Sequence, residues 1–184
     1  MLCFKCSKLI SKELKTCHKN STIKFLISFS NYENEKIRNI VLTAKNQSYE
    51  IFNDLAYFIA KQLKNSSFYS NLKDFYLVPV PLTKKSLLKR GFNQAEVLAY
   101  SLSLITNLPL SNSLIKLKDT LDQSQLNYKQ RLSNLKQAFD VKNKPPLKVI
   151  LVDDIKTTGA TLKECAKTLK RNGTKEVIAL TILY

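Results

Sequence analysis

The sequence predicts an α/β fold, with a mostly parallel central sheet flanked by helices and a small cysteine-rich head at the N-terminus. Three observations carry that expectation. Short runs of branched and apolar residues alternate with longer segments whose apolar residues recur at helical spacing. A strand–helix alternation of this kind favours neighbouring strands that run the same way, because each crossover helix returns the chain to the same end of the sheet. One run, 147–152, is apolar at nearly every position, as a strand covered on both faces demands.

Taken in order, residues 22–32 (TIKFLISFSNY) form a strand rich in aromatic and branched side chains. Residues 35–45 form a short helix with Ile37, Ile40, Val41 and Ala44 on one face. Ser48 is the candidate cap of a second helix over 49–63, with Ile51, Leu55, Phe58, Ile59 and Leu63 as its stripe. Residues 74–80 (DFYLVPV) form a strand that Pro79 and Pro81 terminate and stiffen. A helix over 93–106, a short strand over 114–117 and a charged helix over 127–135 follow. The buried strand at 147–152 then leads to a helix over 158–171 and a last strand over 176–183. On the 158–171 helix, Leu162, Cys165, Ala166 and Leu169 share one face, while Lys163, Lys167, Lys170 and Arg171 share the other. Cys165 is thus a core thiol and not a nucleophile. Gly173 ends that helix.

The chain has 184 residues, 44% of them hydrophobic, which is enough for one core and a small appendage. Lys and Arg total 30 against 14 Asp and Glu, a net charge of +16. Such a surplus attracts polyanions (nucleic acid, phosphorylated metabolites, anionic lipid) without choosing among them. A codon bias towards lysine and asparagine accounts for part of it. No apolar run approaches transmembrane length, and the first twenty residues hold lysines without an apolar signal core. The expectation is a cytoplasmic protein with no membrane span. In that setting four cysteines are metal ligands or buried thiols before they are disulfides. Neither GxxxxGK[ST] nor GxGxxG occurs, which argues against a nucleoside-triphosphatase or a dinucleotide enzyme.

The stretch VILVDDIKTTGAT at 149–161 carries the functional signal. Ligands of an open parallel sheet bind beyond the carboxyl ends of its strands, where Asp153 and Asp154 stand. The turn from Lys156 through Thr157, Thr158, Gly159 and Ala160 to Thr161 offers successive backbone N–H groups, hydroxyls and the positive end of a helix dipole. Gly159 permits close backbone approach. Carboxylates repel phosphate, so the acids must serve sugar hydroxyls or a hydrated Mg²⁺. The implied ligand is a phosphorylated sugar. The plain alternative is a strand followed by an N-capped helix, and the order of all these residues argues against it. A second stretch, 77–99, places Lys84, Lys85, Lys89 and Arg90 in a basic loop after Val80, Pro81 and Leu82, with RGFNQ opening the next helix. That combination suits a diphosphate, although for the lysines a solvated loop is the simpler reading.

Residues 149–161 resemble the phosphoribosyl-diphosphate (PRPP) signature of type I phosphoribosyltransferases: apolar residues, two acids, then TTGxT. Together with VPVPL, with RGFNQA and the LA after it, and with LKDTLDQSQLNYKQRLSNLKQAFDV at 117–141, the chain resembles the ComF family, also called competence protein F or amidophosphoribosyltransferase-like. Thr120, Gln123, Leu126, Arg131, Asn134 and Phe139 fall on that family's recurring residue types. The resemblance covers residues 22–183. It implies a type I phosphoribosyltransferase-like domain at 22–184 and PRPP with Mg²⁺ as the ligand. Asp153 and Asp154 would be the catalytic pair that holds ribose and Mg²⁺. Lys156, Thr157, Thr158, Gly159, Ala160 and Thr161 would surround the 5′-phosphate, and Val80, Pro81 and Leu82 the diphosphate, with Arg90 beside them.

The family's association with natural transformation implies single-stranded DNA and the competence machinery at the inner membrane as partners. Phe4, Phe92 and Tyr128 lie among basic residues as candidate stacking platforms. Transfer activity is not established for the family, so enzymatic turnover stays open. Two other functions remain: a nucleobase phosphoribosyltransferase of salvage metabolism, and a PRPP-sensing regulator that binds nucleic acid.

The head, residues 1–21, contains Cys3 and Cys6 as a CxxC, then Cys17 beside His18, the one histidine of the chain. These four are the candidate zinc ligands. Asn20 stands where ComF proteins carry a fourth cysteine, and adjacent ligands strain a tetrahedral site. A zinc-bound head and a reduced, metal-free head are equally open.

Overall fold

A computed structural model describes residues 22–45, 48–118 and 137–184. The described residues open with strand β1 (Leu26–Ser30) and helices α1 (Glu35–Ala44) and α2 (Glu50–Lys64). A 3₁₀ turn, Tyr69–Leu72, leads into strand β2 (Tyr76–Pro79). Helices α3 (Lys84–Arg90) and α4 (Gln94–Thr106) follow, then strands β3 (Leu114–Lys116) and β4 (Phe139–Val141). Strand β5 (Lys148–Ile155), helix α5 (Ala160–Arg171) and strand β6 (Glu176–Leu183) complete the described chain.

The main sheet has the order β1-β6-β5-β2 and every pairing in it is parallel. The two central strands carry the longest apolar runs, because a central strand of a helix-covered sheet meets no water on either side. Alternation along each strand divides the core in two. Ile150 and Val152 of β5, with Ile178 and Leu180 of β6, pack against α2 and α4 through Phe52, Leu55, Leu98 and Leu102. Val149 and Leu151, with Val177 and Ala179, pack against α5 through Leu162, Cys165 and Leu169. β3 and β4 form a separate antiparallel pair on the α5 side, where Leu114 and Phe139 join the second cluster.

The predicted α/β class is the observed one, and β6 has the predicted limits. Several elements differ. The first strand is confined to Leu26–Ser30, although Lys24 N already donates to Val177 O at 2.8 Å and Phe25 O accepts from Ala179 N at 3.0 Å. Ile40 is 43% exposed at the edge of the α1 stripe, and Phe58 is 54% exposed. The buried face of α2 is Phe52, Leu55, Ala56, Ile59, Ala60 and Leu63, which leaves Phe58 off the stripe. Ser48 does not cap α2; Tyr49 holds the cap position without a side-chain hydrogen bond. The basic stretch after β2 is not a loop but the helix α3, begun by Thr83, whose hydroxyl accepts from Ser86 N at 3.1 Å, and ended by Gly91 at φ 81°. β5 runs three residues beyond Val152, because β6 extends to Leu183 and keeps supplying partners. The cysteine head at 1–21 and the expected helix at 127–135 lie outside the described residues.

Candidate functional site

The added length of β5 decides the site. Asp153 and Asp154 are not beyond the strand but within its last turn of ladder, with Asp153 in register with Thr181. Successive strand residues face opposite sides of a sheet. Asp154 follows Ile150 and Val152 towards the α1, α2 and α4 side, and Asp153 follows Val149 and Leu151 towards α5. Neighbours confirm the split. Asp154 Oδ2 receives Lys45 Nζ at 2.8 Å from the end of α1. The charge of Asp153 is instead felt by the buried Cys165 of α5, whose thiol is pushed up first by burial and then by Asp153.

The Asp153 carboxyl is raised to about 7, first by burial and then by the neighbouring Asp154, while Lys45 pulls it back down. One oxygen of each acid is spent locally: Asp153 Oδ1 accepts from Asp154 N at 3.0 Å, and Asp154 Oδ1 from Ile155 N at 2.7 Å. With Lys45 on its other oxygen, Asp154 has little left to offer a cation. A carboxylate oxygen supplemented by water and ligand oxygens is a donor set that suits Mg²⁺.

The turn beyond β5 is exposed only in part. Lys156 N still donates to Leu183 O at 2.8 Å, continuing the ladder, and its side chain is buried. Thr157 and Thr158 are exposed, Ala160 is buried and Thr161 is partly covered. Gly159 adopts φ 72°, a left-handed conformation that a Cβ disfavours. α5 starts there with no side-chain hydrogen bond from its cap residue, although Thr158 Oγ1 accepts from Ala160 N at 3.4 Å. Helix N-termini in general favour anions, through their N–H groups and dipole.

β2 brings the second segment alongside. Val80 N donates to Val152 O at 2.9 Å, so the loop through Pro81 and Leu82 begins next to the acids. Asn93 ties it down twice: Nδ2 donates to Val80 O at 3.1 Å, and Oδ1 caps α4 by accepting from Ala95 N at 3.1 Å. Gln94 Nε2 donates to Lys45 O at 2.6 Å. Val80, Pro81, Leu82, the acids and the 156–161 turn therefore share one end of the sheet. Arg90 is exposed at the C-terminal end of α3. Gln94 lies in the RGFNQ stretch that the sequence singles out, whereas Lys45 is not legible as a site residue, because its role is long-range and no local pattern marks it.

An open groove of about 950 Å³ runs along α4 instead, lined by Tyr49, Leu87, Phe92, Tyr100 and Leu104 among others, and it contains none of the acids or turn residues. Phe92 is a half-buried ring packed edge-on against Tyr49 at 6.3 Å and Phe52 at 6.0 Å, which serves the core. Phe4, Tyr128, Cys3, Cys6, Cys17 and His18 lie outside the described residues. Among the described residues no group of three metal-ligating side chains converges, and no helix is long and apolar enough to cross a membrane.

Residues 86–184 match the phosphoribosyl transferase domain. Competence protein F of Haemophilus influenzae is 42% identical over 106 residues, 55% of this chain and 46% of that protein. Competence protein ComFC of Bacillus subtilis is 32% identical over 157 residues, 75% of this chain and 63% of that protein. DNA utilization protein YhgH of Escherichia coli K12 is 35% identical over 105 residues, 55% and 45% of the two chains. The chain spans about half the length of the curated relatives it matches, and 63% at most among these three.

Proposed function

This chain belongs to the phosphoribosyl transferase domain family, on its ComF branch, and from that premise we propose that it binds PRPP with Mg²⁺ and serves DNA uptake in natural transformation. The observation that supports the ligand is the end of β5: a carboxylate pair, a turn exposed at Thr157 and Thr158 with Gly159 at φ 72°, and the start of a twelve-residue helix. The turn and the start of α5 take the 5′-phosphate. Asp153 takes the ribose hydroxyls and the hydrated Mg²⁺. The loop at Val80, Pro81 and Leu82 accommodates the diphosphate. Bound Mg²⁺ would neutralise phosphate charge beside Asp153.

The competence role draws on relatives named for competence or DNA utilization. The charge supports it too. A net +16 favours a polyanionic partner, and α3 presents Lys84, Lys85, Lys89 and Arg90 to solvent. On this reading the protein handles incoming single strands on the cytoplasmic side of the inner membrane, with the competence machinery as its neighbour.

Calorimetric titration with PRPP and Mg²⁺ tests the ligand. Saturable binding that needs Mg²⁺ is the expected result, and no heat with either alone or together contradicts it. Filter binding of single-stranded DNA over a salt series tests the second half. Affinity should fall steeply with salt, and less steeply once α3 lysines are replaced by glutamine. Consumption of PRPP with any of a panel of free nucleobases would instead make the protein a salvage transferase.

A further inference from the structure

The four cations that follow β2 in the sequence all stand exposed on α3. The basic side chain that the fold delivers to the acid pair is Lys45, from just past α1. Its Nζ lies 2.8 Å from Asp154 Oδ2, with side chains 25% and 11% accessible. Its carbonyl is fastened by Gln94 at 2.6 Å, and the adjacent Asn93 holds Val80 O at 3.1 Å. Three segments far apart in sequence are thus joined at the carboxyl end of β5: the end of α1, the start of α4 and the loop after β2.

We propose that Lys45 is a specificity-determining residue that recognises the diphosphate of the ligand, with Asp154 as its anchor. The assignment rests on the PRPP reading above. An ammonium group has three N–H donors, and Asp154 takes one. A lysine already fixed by a carboxylate and by its own backbone loses less side-chain freedom on meeting a phosphate than a free surface lysine does. Lys45 is tied to the acids directly and to the loop at Val80 through the adjacent Gln94 and Asn93, and its partial accessibility leaves it open to a ligand. Asp154, its oxygens engaged by Ile155 N and Lys45, then acts through the lysine. Asp153 is left as the acid that faces the sugar. One carboxylate serves the cation and the ribose; the other serves the leaving end of the ligand.

The test compares two ligands in the presence of Mg²⁺, PRPP and ribose 5-phosphate, which share the ring and the 5′-phosphate but differ in the diphosphate. Lys45→Met should weaken PRPP binding by about 10- to 100-fold, the range for a lost charged hydrogen bond, and ribose 5-phosphate by less than about threefold. Lys45→Arg should restore most of the PRPP affinity. Gln94→Met keeps the charge but frees the end of α1, and should give a milder loss with the same selectivity; it also serves if Lys45→Met does not fold. Equal losses on both ligands would reduce Lys45 to a structural counter-ion, and an unchanged PRPP affinity would remove it from the site; either overturns the proposal. Wild-type protein that binds neither ligand overturns the PRPP reading itself, and Lys45's role with it.

Discussion

Asp153 and Asp154 are neighbours in sequence and opposites in surroundings. Asp154 turns to the α1 side and meets a lysine at 2.8 Å. Asp153 turns to the α5 side, and its carboxyl rises to about 7 because burial and the adjacent charge both oppose its ionisation. A strand has period two, so a doubled acid at the end of a sheet is two different groups, one on each face. Lys45 is ion-paired to Asp154 and also pulls Asp153 down, yet burial and the Asp154 charge keep the Asp153 carboxyl raised. A carboxylate held near neutrality in its own pKa is costly to keep ionised, and a bound cation would remove that cost.

The sharpest way to break the contrast is to remove the charges. Asp153→Asn together with Asp154→Asn should weaken Mg²⁺-dependent PRPP binding by about 1,000-fold in calorimetry, the scale of two lost charged contacts. Singly, Asp153→Asn should abolish the Mg²⁺ dependence, while Asp154→Asn should reproduce the diphosphate-selective loss of Lys45→Met. Matching profiles for the two single variants would erase the distinction.

Next in size is stability. Lys45→Met leaves Asp154 without its partner in a largely covered position and should cost about 3 kcal/mol in urea denaturation. Adding Asp154→Asn should recover part of that loss, with a coupling of about 1–3 kcal/mol. Strictly additive losses would mean that the pair is no more than a surface contact.

The pH dependence of Asp153 has the opposite sign from that of a salt-bridged acid. Its folded pKa, about 7, lies above the ordinary 3.8, so between those values the folded state holds the proton more tightly than the unfolded chain. This group's contribution to stability therefore declines as pH rises from about 3.8 to about 7 and is flat above. Asp153→Asn should flatten that slope and stabilise the protein at neutral pH by on the order of 2 kcal/mol. A variant less stable than wild type at pH 8 would contradict the assignment. The smallest effect belongs to the turn: Gly159→Ala should cost about 1–2 kcal/mol in thermal denaturation, because φ 72° crowds a Cβ. No measurable change would show that the turn relaxes freely.

Much of this is legible in the sequence. The central strands declare themselves by long apolar runs, and the start of β6 is legible because its apolar run follows the polar residues Asn172–Glu176. The stripe of α5 likewise separates Leu162 and Leu169 from its lysines. The end of β5 was misplaced for a physical reason. Two carboxylates look like the end of a buried strand, but the ladder to β6 is a backbone property and continues under them to Ile155. That shift is what splits the acids between faces. α3 went unseen because seven residues, four of them basic, show no apolar period; its cap Thr83 and its stop Gly91 hold it instead. β4 has three residues, too few for alternation to register. Lys45 is the deeper lesson. Nothing near it marks it out, since its partners Asp154 and Gln94 are distant in the chain and meet it only after the sheet forms.

Soaking crystals with PRPP and Mg²⁺ bears most directly on the central claim. The account predicts the 5′-phosphate on the backbone N–H groups of the 156–161 turn, the metal on Asp153, and the diphosphate beside Lys45 and the loop at Val80. A ligand seated in the α4 groove, or a turn that stays closed to it at saturating concentration, would contradict the account.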